Sequence, residues 1–237
     1  MMKKILLGIA IVSSIAISSC DELINLDELN GEKIILGLKD ALVHGTDTAV
    51  ANLSAPDGFF RDQAVKILLP EYAQPIYNVL NTLPLVSDLL DETILAINRS
   101  AEDAATEAKP IFLDAIREIT IEDGLTILNG PDTAATAYLK GKTYTQLFDA
   151  FKPKIETSLS KEIVLGISAE ASYAKLIDTY NAIPFVSDIQ SNSLSEHTTN
   201  RALKGIFKKV GDEEKLIRED PAHRVTDILE EVFGSEY

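Results

Sequence analysis

Ile34-Ile35-Leu36-Gly37-Leu38-Lys39-Asp40-Ala41-Leu42-Val43-His44-Gly45-Thr46-Asp47-Thr48-Ala49-Val50-Ala51-Asn52-Leu53 decides the fold class of this chain. Ile34, Leu38, Ala41, Leu42, Gly45, Ala49 and Leu53 fall at helical spacing, which gathers them on one face. A half-buried strand would instead alternate apolar and polar residues at every second position. No such alternation persists anywhere in the 237 residues. Aromatic content is 6%, there is no Trp, and Ala, Leu and Ile dominate, which favours packed helices over a sheet. The expectation is an all-α fold: a compact multi-helix domain of roughly ten helices, many of them short.

Outward from this stretch, Asn30 reads as the cap of the first helix, and Ser54 to Gly58 break it. Phe59-Phe60 then fold back onto the core. Lys66 to Pro70 is a short apolar run, either extended or a single turn. Glu71 to Asn81 and Ser87 to Ala108 read as helices with Pro84 between them. Pro110 ends or kinks the second, and Ile111 to Ile119 continues it. Thr120-Ile121-Glu122-Asp123 is a capping-box variant that opens a further helix, ended by Asn129-Gly130. Pro131 suits the first turn of the next. Thr143-Tyr144-Thr145-Gln146 reads as another capping box, and Ser193-Leu194-Ser195-Glu196 opens a helix to about Val210. Glu122-Asp123 and Glu213-Glu214 read as first-turn helical acids. Asp220-Pro221 caps the last helix, with Val225, Ile228, Leu229 and Val232 on one face.

Asn81-Thr82-Leu83-Pro84-Leu85-Val86-Ser87-Asp88 matches Asn181-Ala182-Ile183-Pro184-Phe185-Val186-Ser187-Asp188 at five of eight positions. Asn98-Arg99 and Asn200-Arg201 follow at nearly the same offset. The pattern predicts two related helical units inside one domain, and it is too short for a solenoid, which needs three or more repeats.

The N-terminus carries an address. Met1 to Lys4 form a short positive region, and Ile5 to Ile17 form an uncharged, largely apolar run of 13 residues. That run is too short for a transmembrane helix, which needs about 20 apolar residues, and it matches a secretory signal. Ile17-Ser18-Ser19-Cys20 resembles the lipobox of a bacterial lipoprotein, and Cys20 is the single cysteine of the chain. The resemblance implies cleavage before Cys20, a diacylglyceryl thioether on its thiol and acylation of its amine. Two or more chains suit the task, since one acyl chain gives only reversible membrane binding. One cysteine also excludes an intramolecular disulfide. The sequence therefore divides into a signal peptide at 1–19, an acidic tether at 20–30 and an all-α domain at 31–237. Fully extended, the tether reaches at most about 35 Å. Asp21-Glu22, straight after the lipidated Cys, resembles a sorting or surface-export signal.

Charge narrows the partners. The chain holds 22 basic and 37 acidic residues, a formal −15; removal of Lys3 and Lys4 with the signal leaves 20 against 37, or −17. Such a chain is repelled by nucleic acid phosphates and by an anionic membrane surface, so contact with the membrane falls to the lipid.

A family resemblance spans Gly37 to Phe233. Its carriers include Gly37-Leu38-Lys39-Asp40-Ala41-Leu42, Asp57-Gly58-Phe59-Phe60, Ile67-Leu68-Leu69-Pro70 and Asn98-Arg99 with Ala101-Glu102. Lys109-Pro110-Ile111-Phe112, Thr120-Ile121-Glu122-Asp123, Gly205-Ile206-Phe207 and Ile217-Arg218-Glu219-Asp220-Pro221-Ala222 with Arg224 follow in order. Together they resemble the bacterial family called domain of unknown function 4197. The resemblance implies a secreted or lipid-anchored protein and brings no established activity with it.

Catalytic and cofactor signatures are few. His44, His197 and His223 are widely spaced and lack the close pairing of a metal site, so neither metal nor cofactor is expected. There is no glycine-rich phosphate loop, dinucleotide fingerprint or nucleophile elbow. The six arginines stand out instead, four of them (Arg99, Arg201, Arg218 and Arg224) in motif-like stretches. Asn98, Arg99, Glu102, Lys109, Arg218, Asp220 and Arg224 are the candidate residues. They either line a groove for an anionic ligand or form ion pairs that fix helix junctions. The expected function is non-catalytic binding or scaffolding by a lipid-anchored protein of the bacterial cell envelope, with an envelope protein or a small anionic ligand as partner. The alternatives are a helical carrier of a lipid or other anionic amphipathic ligand, and a hydrolase built on two carboxylates.

Overall fold

Helical spacing continues well beyond the stretch that announced it. In the computed structural model, which describes residues 20–80, 84–163, 166–190, 192–224 and 226, α1 runs over Cys20–Ser54. The helix thus begins ten residues before the expected Asn30 cap, and the tether expected over 20–30 is helical backbone. No proline interrupts this span, and at a rise of about 1.5 Å per residue a helical tether reaches less than half as far as an extended one. The signal peptide expected at 1–19 lies outside the described residues.

Seven more α-helices follow among the described residues: α2 (Gln74–Leu80), α3 (Pro84–Ala105), α4 (Ala108–Arg117), α5 (Ile121–Leu128), α6 (Ala134–Leu159), α7 (Ala169–Asn181) and α8 (Leu194–Glu219). Short 3₁₀ turns at Glu71–Ala73 and Pro221–His223 complete them, and among the described residues there is no strand, only an isolated bridge between Glu162 and Ser168. The fold is all-α.

Several ends are set by local chemistry. The Thr120 side chain accepts from Asp123 N–H at 3.1 Å while the Asp123 carboxylate accepts from Thr120 N–H at 3.1 Å, the reciprocal capping box read from sequence. Ser193 caps α8 by accepting from Glu196 N–H at 3.2 Å. Other readings are corrected. Pro131 precedes α6 instead of entering its first turn; its carbonyl accepts from Ala134 N–H at 2.8 Å. Thr143 starts no helix: α6 runs straight through it, and its buried hydroxyl donates to Leu139 O at 2.7 Å. Thr46, Thr93, Thr198 and Thr199 satisfy their buried hydroxyls in the same way, each on the carbonyl four residues earlier. Helix α8 does not stop near Val210 but reaches Glu219, so Glu213-Glu214 sit near its end.

α6 packs against α3, α4 and α8; α1 covers α8, α4 and α3; α7 lies on α3 and α2. Their apolar faces merge into one core that includes Leu38, Leu53, Phe59, Ile97, Phe112, Leu147, Phe151, Tyr173 and Ile206. The Phe207 ring meets Phe112 edge-on, with centroids 5.8 Å apart, and stacks on Tyr144 at 6.3 Å. The two matching octapeptides share a sequence but not a structure: Pro84–Asp88 open α3, whereas Pro184–Asp188 follow the end of α7 and carry Phe185 at a φ of 71°.

Candidate functional site

The polar residues of the motif stretches gather in two places. The first joins α3 to the segment that returns from α1. Asn98 is fully buried and uses its whole amide: Oδ1 accepts from Ile67 N–H at 2.8 Å, and Nδ2 donates to Ile67 O and Ile94 O, both at 2.8 Å. It serves the extended Ile67 as a strand partner would. One turn on, Glu102 Oε1 accepts from Phe59 N–H at 3.1 Å and Phe60 N–H at 3.3 Å. Its second oxygen takes Arg99 Nη1 at 2.6 Å, and Arg99 Nη2 reaches Asp57, which also holds Arg61 at 2.9 Å. The carboxylates beside Arg99 raise its pKa, Glu102 foremost. Asp57 has a φ of 70°, a left-handed conformation that Asp tolerates better than most residues. Gly58 is required by space: a Cβ there would stand 2.3 Å from Asn52 O. The Asp57-Gly58-Phe59-Phe60 motif is therefore a tight turn pinned to α3 by Arg99 and Glu102.

The second place joins the end of α8 to the start of α6. Thr133, the residue before α6, makes no capping bond of its own. Glu214 supplies the cap from α8: it accepts from Ala135 N–H at 3.0 Å, Thr136 N–H at 2.8 Å and the Thr136 hydroxyl at 2.7 Å. Arg218 donates to the same carboxylate at 3.0 and 3.2 Å and to Ile127 O at 3.0 Å, tying in α5. Arg224 turns back to donate to Ile217 O at 3.2 Å and Arg218 O at 2.9 Å, where α8 leaves its last carbonyls open. Asp220 accepts from Ala222 N–H at 3.0 Å and lies 3.1 Å from His223 Nδ1; the backbone bond leads in lowering its pKa.

Lys109 joins neither group. It pairs with Asp47 at 2.8 Å across α4 and α1, and both partners are exposed. The single groove expected to be shared by the motif cations therefore divides: Arg99 and Arg218 face separate internal carboxylates. Sequence reasoning missed the capping role of Glu214: its i,i+4 spacing to Arg218 is local, but the amides it caps lie 78 and 79 residues away.

Open concave surface lies beside the first group. A cleft of about 490 Å³ is lined by Phe60, Lys66, Leu68, Leu69, Gln74, Tyr77, Asp91 and Ile94. Leu68 (46% exposed), Tyr72 and Tyr77 make this an exposed apolar region. The Lys66 ammonium lies 4.2 Å from the Phe60 ring centre. His197 Nε2 meets Leu68 O at 3.0 Å, and burial lowers its pKa. Among the described residues no three His, Cys, Asp or Glu side chains are grouped to hold a metal ion, and no helix is long and apolar enough to cross a membrane.

No curated protein and no solved structure matches the chain. A family model does match, over residues 28–234, and the protein belongs to that family, described as protein of unknown function (DUF4197).

Proposed function

We propose that this is a non-catalytic binding protein, held at a bacterial cell-envelope membrane by lipid on Cys20. The cleft between the 60–69 segment, α2 and α3 carries the reading. It offers a concave, largely apolar surface with Lys66 at its rim, the arrangement expected of a small-molecule site. The motif residues support the non-catalytic half. Asn98, Glu102 and Glu214 have their hydrogen-bonding atoms engaged by backbone amides and carbonyls. Among the described residues, the carboxylates shifted from their ordinary pKa, Asp62, Asp123 and Asp220, are lowered. A hydrolase using a general acid needs the opposite shift on one of its pair.

The cleft supports an amphipathic ligand over a purely protein partner, because its apolar walls are flanked by the polar and charged groups Lys66, Gln74 and Asp91. Anilinonaphthalene sulfonate, an anionic apolar dye, is a direct probe. The native protein should bind it in a saturable 1:1 manner, and Leu68→Glu, at an exposed wall of the cleft, should abolish the fluorescence gain while leaving the melting temperature unchanged. Equal dye binding by the variant refutes the cleft as the binding surface.

A further inference from the structure

Helix α8 carries His197, Arg201, Lys204 and Lys208 at intervals of four, three and four residues, which places them along one face. The 60–67 segment lies against this face because residue 205 is glycine. A Cβ there would stand 2.7 Å from Phe59 Cε1 and 3.4 Å from Val65 Cβ, and Phe59 is fully buried. The close approach leaves a hollow of about 90 Å³ lined by Ala64, Val65, Lys66, Arg201, Lys204 and Lys208, with Gly205 at its floor. Every charged residue of that lining is a cation.

This is unusual in a chain with 37 acids and 22 bases. Elsewhere cations find carboxylates: Lys109 on Asp47, Lys154 on Glu107, Lys209 on Asp62. Lys208 has Asp212 at 3.0 Å, on the next turn of α8. Arg201 and Lys204 are exposed, and neither forms an ion pair among the described residues. Lys66, Arg201 and Lys204 repel one another around the hollow, while Lys208 is held by Asp212, and an anion seated among them offsets that repulsion. Arg offers a planar fork and Lys a mobile point charge, the combination that suits a phosphate with several oxygens. Lys66 lines both this hollow and the apolar cleft, so one ligand can place an anionic head in the first and an apolar body in the second.

We propose that this hollow is a phosphate-binding site formed by Lys66, Arg201, Lys204 and Lys208. It deepens the binding reading above and rests on it, since the cleft supplies the second half of the ligand surface. The phosphate comes either from a free phosphorylated compound or from a phospholipid headgroup.

The test uses the full acylated protein in neutral detergent, titrated with inorganic phosphate and separately with dioctanoyl phosphatidic acid, the complexes being counted by native mass spectrometry. A 1:1 complex is expected with the probe whose chemistry the site serves. Tighter binding of the lipid assigns the headgroup source; equal affinities assign a free phosphate compound. Arg201→Glu with Lys204→Glu should weaken binding by about tenfold or more for each cation, the scale of a charge-assisted hydrogen bond. Arg201→Gln with Lys204→Gln should do so with a smaller charge change, which keeps the test open should the double reversal fail to fold. Lys140→Glu, a single charge reversal at an exposed position on α6 (half the charge change of the double reversal and equal to that of the double Gln variant), should have no effect. No complex with either probe, or equal loss in Lys140→Glu, overturns the proposal. Lipid binding that survives both double variants but is lost in Leu68→Glu overturns the hollow while leaving the cleft in place.

Discussion

Replacing Glu214 with Ala removes the link between α8 and the start of α6. The carboxylate side chain is 5% exposed and its Arg218 partner 14% exposed. It accepts from two backbone amides, one hydroxyl and one guanidinium. The variant strands the Ala135 and Thr136 amides at a helix start that has no cap of its own, and leaves Arg218 with only Ile127 O. Breaking a buried ion pair from one side costs about 3–5 kcal/mol. A domain of this size shifts by about 2–4 °C per kcal/mol, so the melting temperature should fall by about 6–20 °C. Urea unfolding of wild type, Glu214→Ala, Arg218→Ala and the double variant gives the coupling directly. The double variant should be less destabilised than the sum of the singles, because each single leaves a charge without its partner. A Glu214→Ala loss below about 1 kcal/mol, the range of an exposed pair, refutes the clamp.

Other outcomes follow from the same contacts. Asn98→Ala should destabilise by about 1–3 kcal/mol, the cost of a buried group left unpaired at Ile67, with urea midpoint as the readout. Gly58→Ala should lower the melting temperature sharply because its Cβ would meet Asn52 O, whereas Gly141→Ala, in open space within α6, should stabilise by about 0.5–1 kcal/mol. His197 has a folded pKa pushed below its ordinary 6.5 by burial, so the unfolded chain takes up its proton first as pH falls. The stability it contributes is full above about pH 6.5 and is lost as pH drops through the folded value. Wild type should therefore lose more stability between pH 7.5 and 5.5 than His197→Gln, while the lowered carboxylates act only below their ordinary 3.8. Equal losses in wild type and His197→Gln would show that His197 is not desolvated by the fold.

What was legible in the sequence was local. The Thr120–Asp123 capping box lies within one turn, so four residues were enough to read it. Helical spacing likewise revealed the all-α fold, because each amphipathic face is written along its own segment. Local signals failed where one pattern serves two structures. Thr143 and Gln146 have the spacing of a helix start, but a buried threonine hydroxyl is equally well satisfied by the carbonyl four residues back. Pro84 and Pro184 sit in similar octapeptides, yet one opens a helix and the other follows one, as their neighbours dictate. The motif residues were legible as a set but not in their roles. Asn98 acts on a residue 31 positions away and Glu102 on residues 42 and 43 away, and no spacing rule encodes such partners. The cationic hollow shows in sequence only as the 201-204-208 periodicity; Lys66 joins it through Gly205, which only packing reveals.

The most direct test of a lipid-anchored binding protein is the native mass of the protein extracted from its own membranes in gentle detergent, with nothing added. Such a protein should appear as a chain beginning at Cys20, carrying covalent acyl groups and a non-covalent anionic companion that Leu68→Glu loses. An unacylated chain, or an acylated chain that carries no companion, contradicts that reading.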